Sequence, residues 1–239
     1  MPRRPLLQLL RLPNLFTVPG DPLCGALLAS HGAWSWRIAP AIIISLASYC
    51  AGLVINDLAD FSEDLRDRPS RPLPSGAVSR RAAIALALFF TALALAAAAC
   101  VDGALLIPTF VLLAAILFYN LLAKKSALIA PAAMGLCRGL SVLIGAAAII
   151  PVHTSYFILH TSLLAAAFIS LYIGLVTALA RTETRNPRIP PLIGSLIRAL
   201  LVIQAGFCLL AGGSGWVAAL LLLALWPVSR LAAAHFYAS

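Results

Sequence analysis

Three aspartates at the end of a long apolar stretch have the spacing of a metal site. Asp57, Asp60 and Asp64 stand at positions i, i+3 and i+7. Residues three or four apart are neighbours on an α-helix, so this spacing predicts three carboxylates on one face. Three like charges repel one another unless cations lie between them, and such oxygen ligands suit Mg²⁺, which bridges to substrate phosphates. The spacing therefore predicts a magnesium-diphosphate site.

The same aspartates have a second interpretation. An acidic helix end in water needs no metal when basic residues neutralise it, and Arg66, Arg68 and Arg71 follow closely in the sequence. Mixed charge of this kind is common at solvated surfaces. The aspartates taken alone leave both interpretations open.

A longer string around the aspartates favours the metal site. Residues 56–76 read NDLADFSEDLRDRPSRPLPSG, which resembles the NDxxDxxxD motif of UbiA-type prenyltransferases and the RPxRPLPSG run that follows it in that family. Asn56 and the three aspartates keep the register of the motif. Further resemblance lies in the runs RLPN at residues 11–14 and GDPL at residues 20–23, and in Tyr119, Lys124 and Lys125.

The resemblance implies a fold and a set of site residues. Members of the family are all-helical membrane bundles around a central cavity, in which Mg²⁺ on the aspartate motif holds an isoprenoid diphosphate. The implied catalytic and metal-binding residues are Asp57, Asp60 and Asp64. Expected substrate contacts are Asn56, Arg71, Tyr119, Lys124, Arg138 and Arg181, with Arg68 as a second choice and Lys125 as a topology anchor.

The second aspartate motif of the family is not found. Members commonly carry DxxxD after the sixth span, whereas this chain has RTETR at residues 181–185. Glu183 is the one acid there, so we expect the second metal to be held by Glu183 or to be absent. The MGLCRGL run at residues 134–140 and this single acid resemble the EboC-type branch of the superfamily.

The composition requires a lipid environment. Of the 239 residues, 62% are hydrophobic and only 10% are charged, which is more apolar surface than a soluble core can bury. The net charge of +9 comes from basic residues in short connectors, so it indicates membrane topology and not nucleic acid. The five cysteines and four histidines lack the spacing of a metal or redox site.

Hydropathy predicts an all-α polytopic membrane bundle of about eight helices, within a range of seven to nine, in one domain at residues 1–239. The expected spans are Asn14 to Ser30, Ile38 to Asn56, Ala82 to Val101, Ala104 to Ala123, Leu128 to Ile150, Phe157 to Ala180, Ile189 to Leu210, and Trp216 to Phe236. The positive-inside rule predicts that the amino terminus and the active-site loops are cytoplasmic, and we expect the cell inner membrane.

Three ionisable residues fall inside the predicted spans: Asp21, Arg138 and Arg198. Charged groups are costly in the bilayer and usually face a cavity or a partner. Arg138 could bind phosphate or pair with Asp21, and the sequence leaves both open.

The leading hypothesis is a prenyltransferase that moves an isoprenoid chain from its diphosphate to a small acceptor, aromatic or lipid-like, within the bilayer. The alternative is a lipid-binding or transporting protein that kept the fold but lost the chemistry. A third class, the CDP-alcohol phosphatidyltransferases, is disfavoured because its DGxxAR-type spacing is not found. The identity of the acceptor and the prenyl chain length do not follow from the sequence.

Overall fold

A computed structural model describes residues 5–101, 103–149, 156–182 and 189–236, and within these ranges the chain forms helices and turns with no strand. Eleven α-helices are present in the described chain: α1 Pro5–Leu9, α2 Leu12–Leu15, α3 Gly20–Ala29, α4 Ile38–Ala59, α5 Phe61–Asp67, α6 Arg80–Ala99, α7 Leu106–Phe118, α8 Ile129–Ile149, α9 Tyr156–Ala180, α10 Ile189–Leu210 and α11 Gly215–Phe236. A π-helical turn, Tyr119–Ala123, extends α7.

Seven of the described helices are long and apolar enough to cross a membrane: α4, α6, α7 with its π-helical turn, α8, α9, α10 and α11. They confirm the second to eighth predicted spans, with ends that differ by a few residues. Because lipid offers no hydrogen bonds to the backbone, apolar stretches of this length satisfy their own N–H and C=O groups as helices. Many large apolar side chains, such as Phe110, Leu122, Leu171 and Leu220, are exposed on the outside. The chain is therefore an integral, multi-pass membrane protein.

The prediction of one continuous helix from Asn14 to Ser30 is wrong. The segment contains two short helices, α2 and α3, separated at residues 16–19. Pro19 and Pro22 have no N–H to donate, and the ring of Pro19 disfavours a helical conformation of the residue before it. A continuous helix is therefore interrupted here.

This broken segment nevertheless runs from one end of the bundle to the other. Arg11, before it, pairs with Asp57 near the end of α4. Gly32, after it, accepts a hydrogen bond from the backbone N–H of Ser214 at 3.1 Å, just before α11. Every residue of α3 is buried, against α4, α8, α9 and α10. Irregular backbone is tolerated at membrane depth where protein, and not lipid, surrounds it.

The close packing of α3 on α8 requires glycine. A Cβ atom on Gly145 would lie 1.9 Å from the carbonyl oxygen of Pro22, and one on Gly25 would lie 2.0 Å from that of Val142. Small residues let helix backbones approach in this way. The glycines thus permit α3 to pack this closely against α8.

We expect Gly145→Ala to lower the free energy of unfolding by about 3 kcal/mol, the upper end of typical overpacking costs, because its methyl group meets rigid backbone. Thermal unfolding of the detergent-solubilised protein measures the change. Gly206→Ala on α10 is the matched control, since a Cβ there meets nothing within 4 Å. Equal stability of the two variants would contradict the packing argument.

Candidate active site

The aspartate motif lies at a kink between two helices. α4 ends at Ala59, Asp60 has φ −89° and ψ 1°, and α5 begins at Phe61. Hydrogen bonds from the backbone N–H of Asp60 to Asn56 (3.0 Å) and from that of Asp64 to Asp60 (2.8 Å) continue the helical pattern on both sides. The motif therefore spans two helices, and the backbone turns at its middle aspartate.

Two of the three carboxylates are buried next to arginines. Asp57 is 6% exposed and Asp64 is 4% exposed. Arg71 Nη1 donates to both carboxylate oxygens of Asp64 at 3.0 and 2.8 Å. Arg11 Nη2 lies 3.5 Å from Asp57 Oδ1. Buried carboxylates need such partners because burial without compensation is costly.

The third carboxylate, that of Asp60, forms an ion pair with Lys124 Nζ. The π-helical turn brings Lys124 to this position: the Lys124 backbone N–H donates to the Tyr119 carbonyl at 2.9 Å, one residue further than in an α-helix. Arg181 donates to the carbonyl oxygens of Lys124 (2.9 Å) and Lys125 (3.4 Å). Arg181 therefore contacts the loop that carries Lys124.

Arg11 is a site residue that the sequence prediction missed. It precedes α2 with φ 46° and ψ 55°, in the left-handed region that residues with a Cβ rarely adopt. The RLPN run was noted as part of the resemblance, but nothing in it indicated a partner 46 residues away. Such strained conformations cluster at functional sites.

A cavity of about 130 Å³ begins beside these charges and extends into the bundle. It is lined by Asn56 and Tyr119, both predicted substrate contacts, and by Arg11. Asn56 Nδ2 also contacts Asp57 Oδ1 at 3.5 Å. The structure therefore brings the first residues of the motif to the mouth of an intramembrane cavity.

Arg138 also lines the cavity and pairs with Asp21, with Nε and Oδ2 2.7 Å apart. Of the two interpretations open for Arg138, the structure shows the pair with Asp21. Asp21 is fully buried and also accepts from Gln204 Nε2 at 2.6 Å. Arg198, the third ionisable residue of the predicted spans, is half-buried on α10 and donates to Ser195 Oγ at 3.2 Å.

The motif residues fit Mg²⁺ by their chemistry. Asp57, Asp60 and Asp64 offer hard carboxylate oxygens, the ligands that Mg²⁺ prefers. In the described part of the chain, no three His, Cys, Asp or Glu side chains lie together as a ready-made metal cluster. Instead each aspartate is paired with one cation, so a metal would have to replace those cations as the carboxylates' partner. Glu183, the remaining predicted ligand, lies outside the described residues.

Comparisons with known proteins identify a family. The model of the UbiA prenyltransferase family matches residues 22–239. Digeranylgeranylglyceryl phosphate synthase from Thermococcus kodakarensis is 40% identical over 75 residues, which is 30% of this chain and 27% of the relative. The enzyme of the same name from Methanoregula boonei is 42% identical over 71 residues, 30% of this chain and 25% of the relative. The alignments thus span about a quarter of these relatives.

The fold is similar to that of a solved structure. A ligand-free UbiA homologue from Aeropyrum pernix K1 superimposes with a TM-score of 0.59 and 21% identity, covering 94% of this chain and 91% of the other. At this identity the likeness concerns the fold. The all-helical fold is therefore shared with the solved structure.

Proposed function

The chain belongs to the UbiA prenyltransferase family, and on that premise we propose that it transfers a prenyl group from an isoprenoid diphosphate to a small acceptor within the membrane. The observation that carries the proposal is that three aspartates pair with three cations beside an intramembrane cavity, and that one of these cations, Arg11, lines the cavity. The names of the aligned relatives, digeranylgeranylglyceryl phosphate synthases, also support prenyl transfer.

The balance of charge suggests how the site accepts its substrate. Arg11, Arg71 and Lys124 neutralise the three aspartates of the motif. The same cations suit diphosphate oxygens, and Arg in particular matches phosphate geometry. Asp57, Asp60 and Asp64 would hold Mg²⁺, which when bound supplies positive charge to the departing pyrophosphate. We therefore propose that on substrate binding these three cations exchange their ion pairs with the aspartates for contacts with the diphosphate oxygens.

The proposed reaction breaks the C–O bond between the allylic carbon and the diphosphate. The electron pair of that bond leaves with pyrophosphate, a nucleophilic atom of the acceptor bonds to the same carbon, and the acceptor loses a proton. Water would compete as the nucleophile, so the reacting carbon must be shielded from it. Leu53, Leu112 and Ile116 in the cavity wall supply apolar surface for that purpose.

Pyrophosphate release tests this proposal. We expect membranes that contain the protein to release pyrophosphate from an isoprenoid diphosphate when acceptor and Mg²⁺ are supplied. This release should stop when EDTA removes the metal. Membranes without the protein are the control. Saturable binding of the isoprenoid diphosphate without release would instead favour the lipid-binding or transporting alternative.

Several finer assignments belong to the same proposal. Glu183 would hold a second Mg²⁺ if one binds. It is the residue that distinguishes the enzymatic hypothesis from the binding-only alternative, in which the second metal site and the chemistry are lost. The MGLCRGL run supports placing the chain in the EboC-type branch. The basic connectors support a cytoplasmic active site in the cell inner membrane, with a single domain throughout.

A further inference from the structure

The cavity also carries polar groups that the transfer of a prenyl chain does not require. Ser45 and Ser48 on α4, Asn120 in the π-helical turn and Arg138 on α8 all line it, and we call these four residues the polar seat. Ser45, Ser48 and Asn120 are at most 3% exposed. An isoprenoid tail is a hydrocarbon and gains nothing from such groups.

Three atoms of the polar seat are unpartnered. Within the described residues, Ser45 Oγ, Ser48 Oγ and Asn120 Oδ1 have no hydrogen-bond partner. The amide of Asn120 has one orientation, because its Nδ2 donates to the carbonyls of Ile116 (2.9 Å) and Gly52 (3.4 Å), which leaves Oδ1 free to accept. Buried polar groups are nearly always hydrogen-bonded. The polar seat therefore suits a ligand that both donates and accepts hydrogen bonds.

The charge of Arg138 is already cancelled. Asp21 Oδ2 lies 2.7 Å from Arg138 Nε, and Arg138 Nη2 donates to the Thr17 carbonyl at 2.8 Å. The other cation of the cavity wall, Arg11, lies at the mouth and pairs with Asp57. A carboxylate or phosphate placed in the polar seat would thus have no free positive charge to balance it. An uncharged hydroxyl group has no such cost.

We propose that the polar seat binds an uncharged, hydroxyl-bearing end of the prenyl acceptor, and that Asp21 sets this preference by neutralising Arg138. That the bound molecule is a prenyl acceptor rests on the proposed function, whereas the preference for an uncharged hydroxyl group rests on the residues of the cavity alone. The volume of about 130 Å³ is close to that of an engineered cavity of roughly 150 Å³ that binds benzene. A single-ring acceptor is therefore a suitable probe.

Two matched probes test the preference: benzyl alcohol and benzoate, each with a single polar end, which is a hydroxymethyl group in one and a carboxylate in the other. Calorimetric titration of the full chain in detergent measures their binding without requiring turnover. We expect the alcohol to bind at least about tenfold more tightly, because the carboxylate loses hydration without gaining a free cation. Equal or tighter binding of the benzoate, or no binding of either probe, would overturn the proposal.

Variants of the polar seat test whether the alcohol binds there. Ser48→Ala removes one hydroxyl and should weaken binding of the alcohol by about two- to tenfold, the range for one hydrogen bond. Ser195→Ala on α10 removes an exposed hydroxyl remote from the cavity and should leave binding unchanged. Asp21→Asn should shift the preference toward the benzoate, because Arg138 would then carry an unbalanced charge.

The outcomes separate this inference from the proposed function. If Ser48→Ala and Ser45→Ala both bind the alcohol as the unmodified protein does, the polar seat is not the binding site, and this holds even where Asp21→Asn fails to fold. If the alcohol binds as expected but membranes release no pyrophosphate, the polar seat stands and the prenyltransferase proposal fails.

Discussion

Asp60→Asn is expected to lower pyrophosphate release by about 100- to 1,000-fold, the effect of removing one preorganised group that acts on transition-state charge. Asparagine has the same shape as aspartate but lacks the negative charge that a magnesium ligand and partner of Lys124 requires. Release of pyrophosphate from an isoprenoid diphosphate, measured in membranes at equal protein amounts, gives the value.

The loss should be one of activity and not of folding. Asp60 and Lys124 are both partly exposed, and ion pairs of this kind contribute at most about 1 kcal/mol to stability. Glu63→Gln is the matched control, because it removes the same charge from an exposed position three residues away. Full activity of Asp60→Asn would show that Asp60 is not a site residue. An equal loss in Glu63→Gln would show that only the overall charge of residues 60–63 matters.

Arg138→Met is expected to destabilise the protein by about 3–5 kcal/mol, the cost of breaking a buried ion pair from one side. Asp21 is fully buried on α3 and would keep only Gln204 as a side-chain hydrogen-bond donor. A lone carboxylate in the bundle interior lacks both water and a counter-charge. The midpoint of thermal unfolding in detergent micelles measures the loss.

The double variant Asp21→Asn with Arg138→Met should recover most of this loss. It removes both charges together, and asparagine still accepts the hydrogen bond from Gln204. Replacing both members of a buried pair by uncharged residues is often neutral. A double variant as unstable as Arg138→Met would indicate that the two residues act separately, contrary to the 2.7 Å contact between them.

The membrane fold could be predicted from local properties of the sequence. Length and hydropathy of a stretch decide whether it spans lipid as a helix, and seven predicted spans follow that rule. The stretch from Asn14 to Ser30 departs from it because its prolines break the helix and the surrounding protein satisfies the backbone. That surrounding protein comes from α4, α8, α9 and α10, which no local pattern connects to residues 20–29.

Composition alone indicated that this chain resides in lipid, and the spacing of the three aspartates indicated a site where the second span ends, because both are local properties of the chain. The pairing of cations with carboxylates depends on long-range packing: Arg11 and Asp57 are 46 residues apart, and Lys124 and Asp60 are 64 apart. The polar seat likewise combines α4, α8 and the π-helical turn. Such contacts depend on how the helices pack. Packing brings together side chains that are far apart in the sequence, and no local pattern indicates that they will meet.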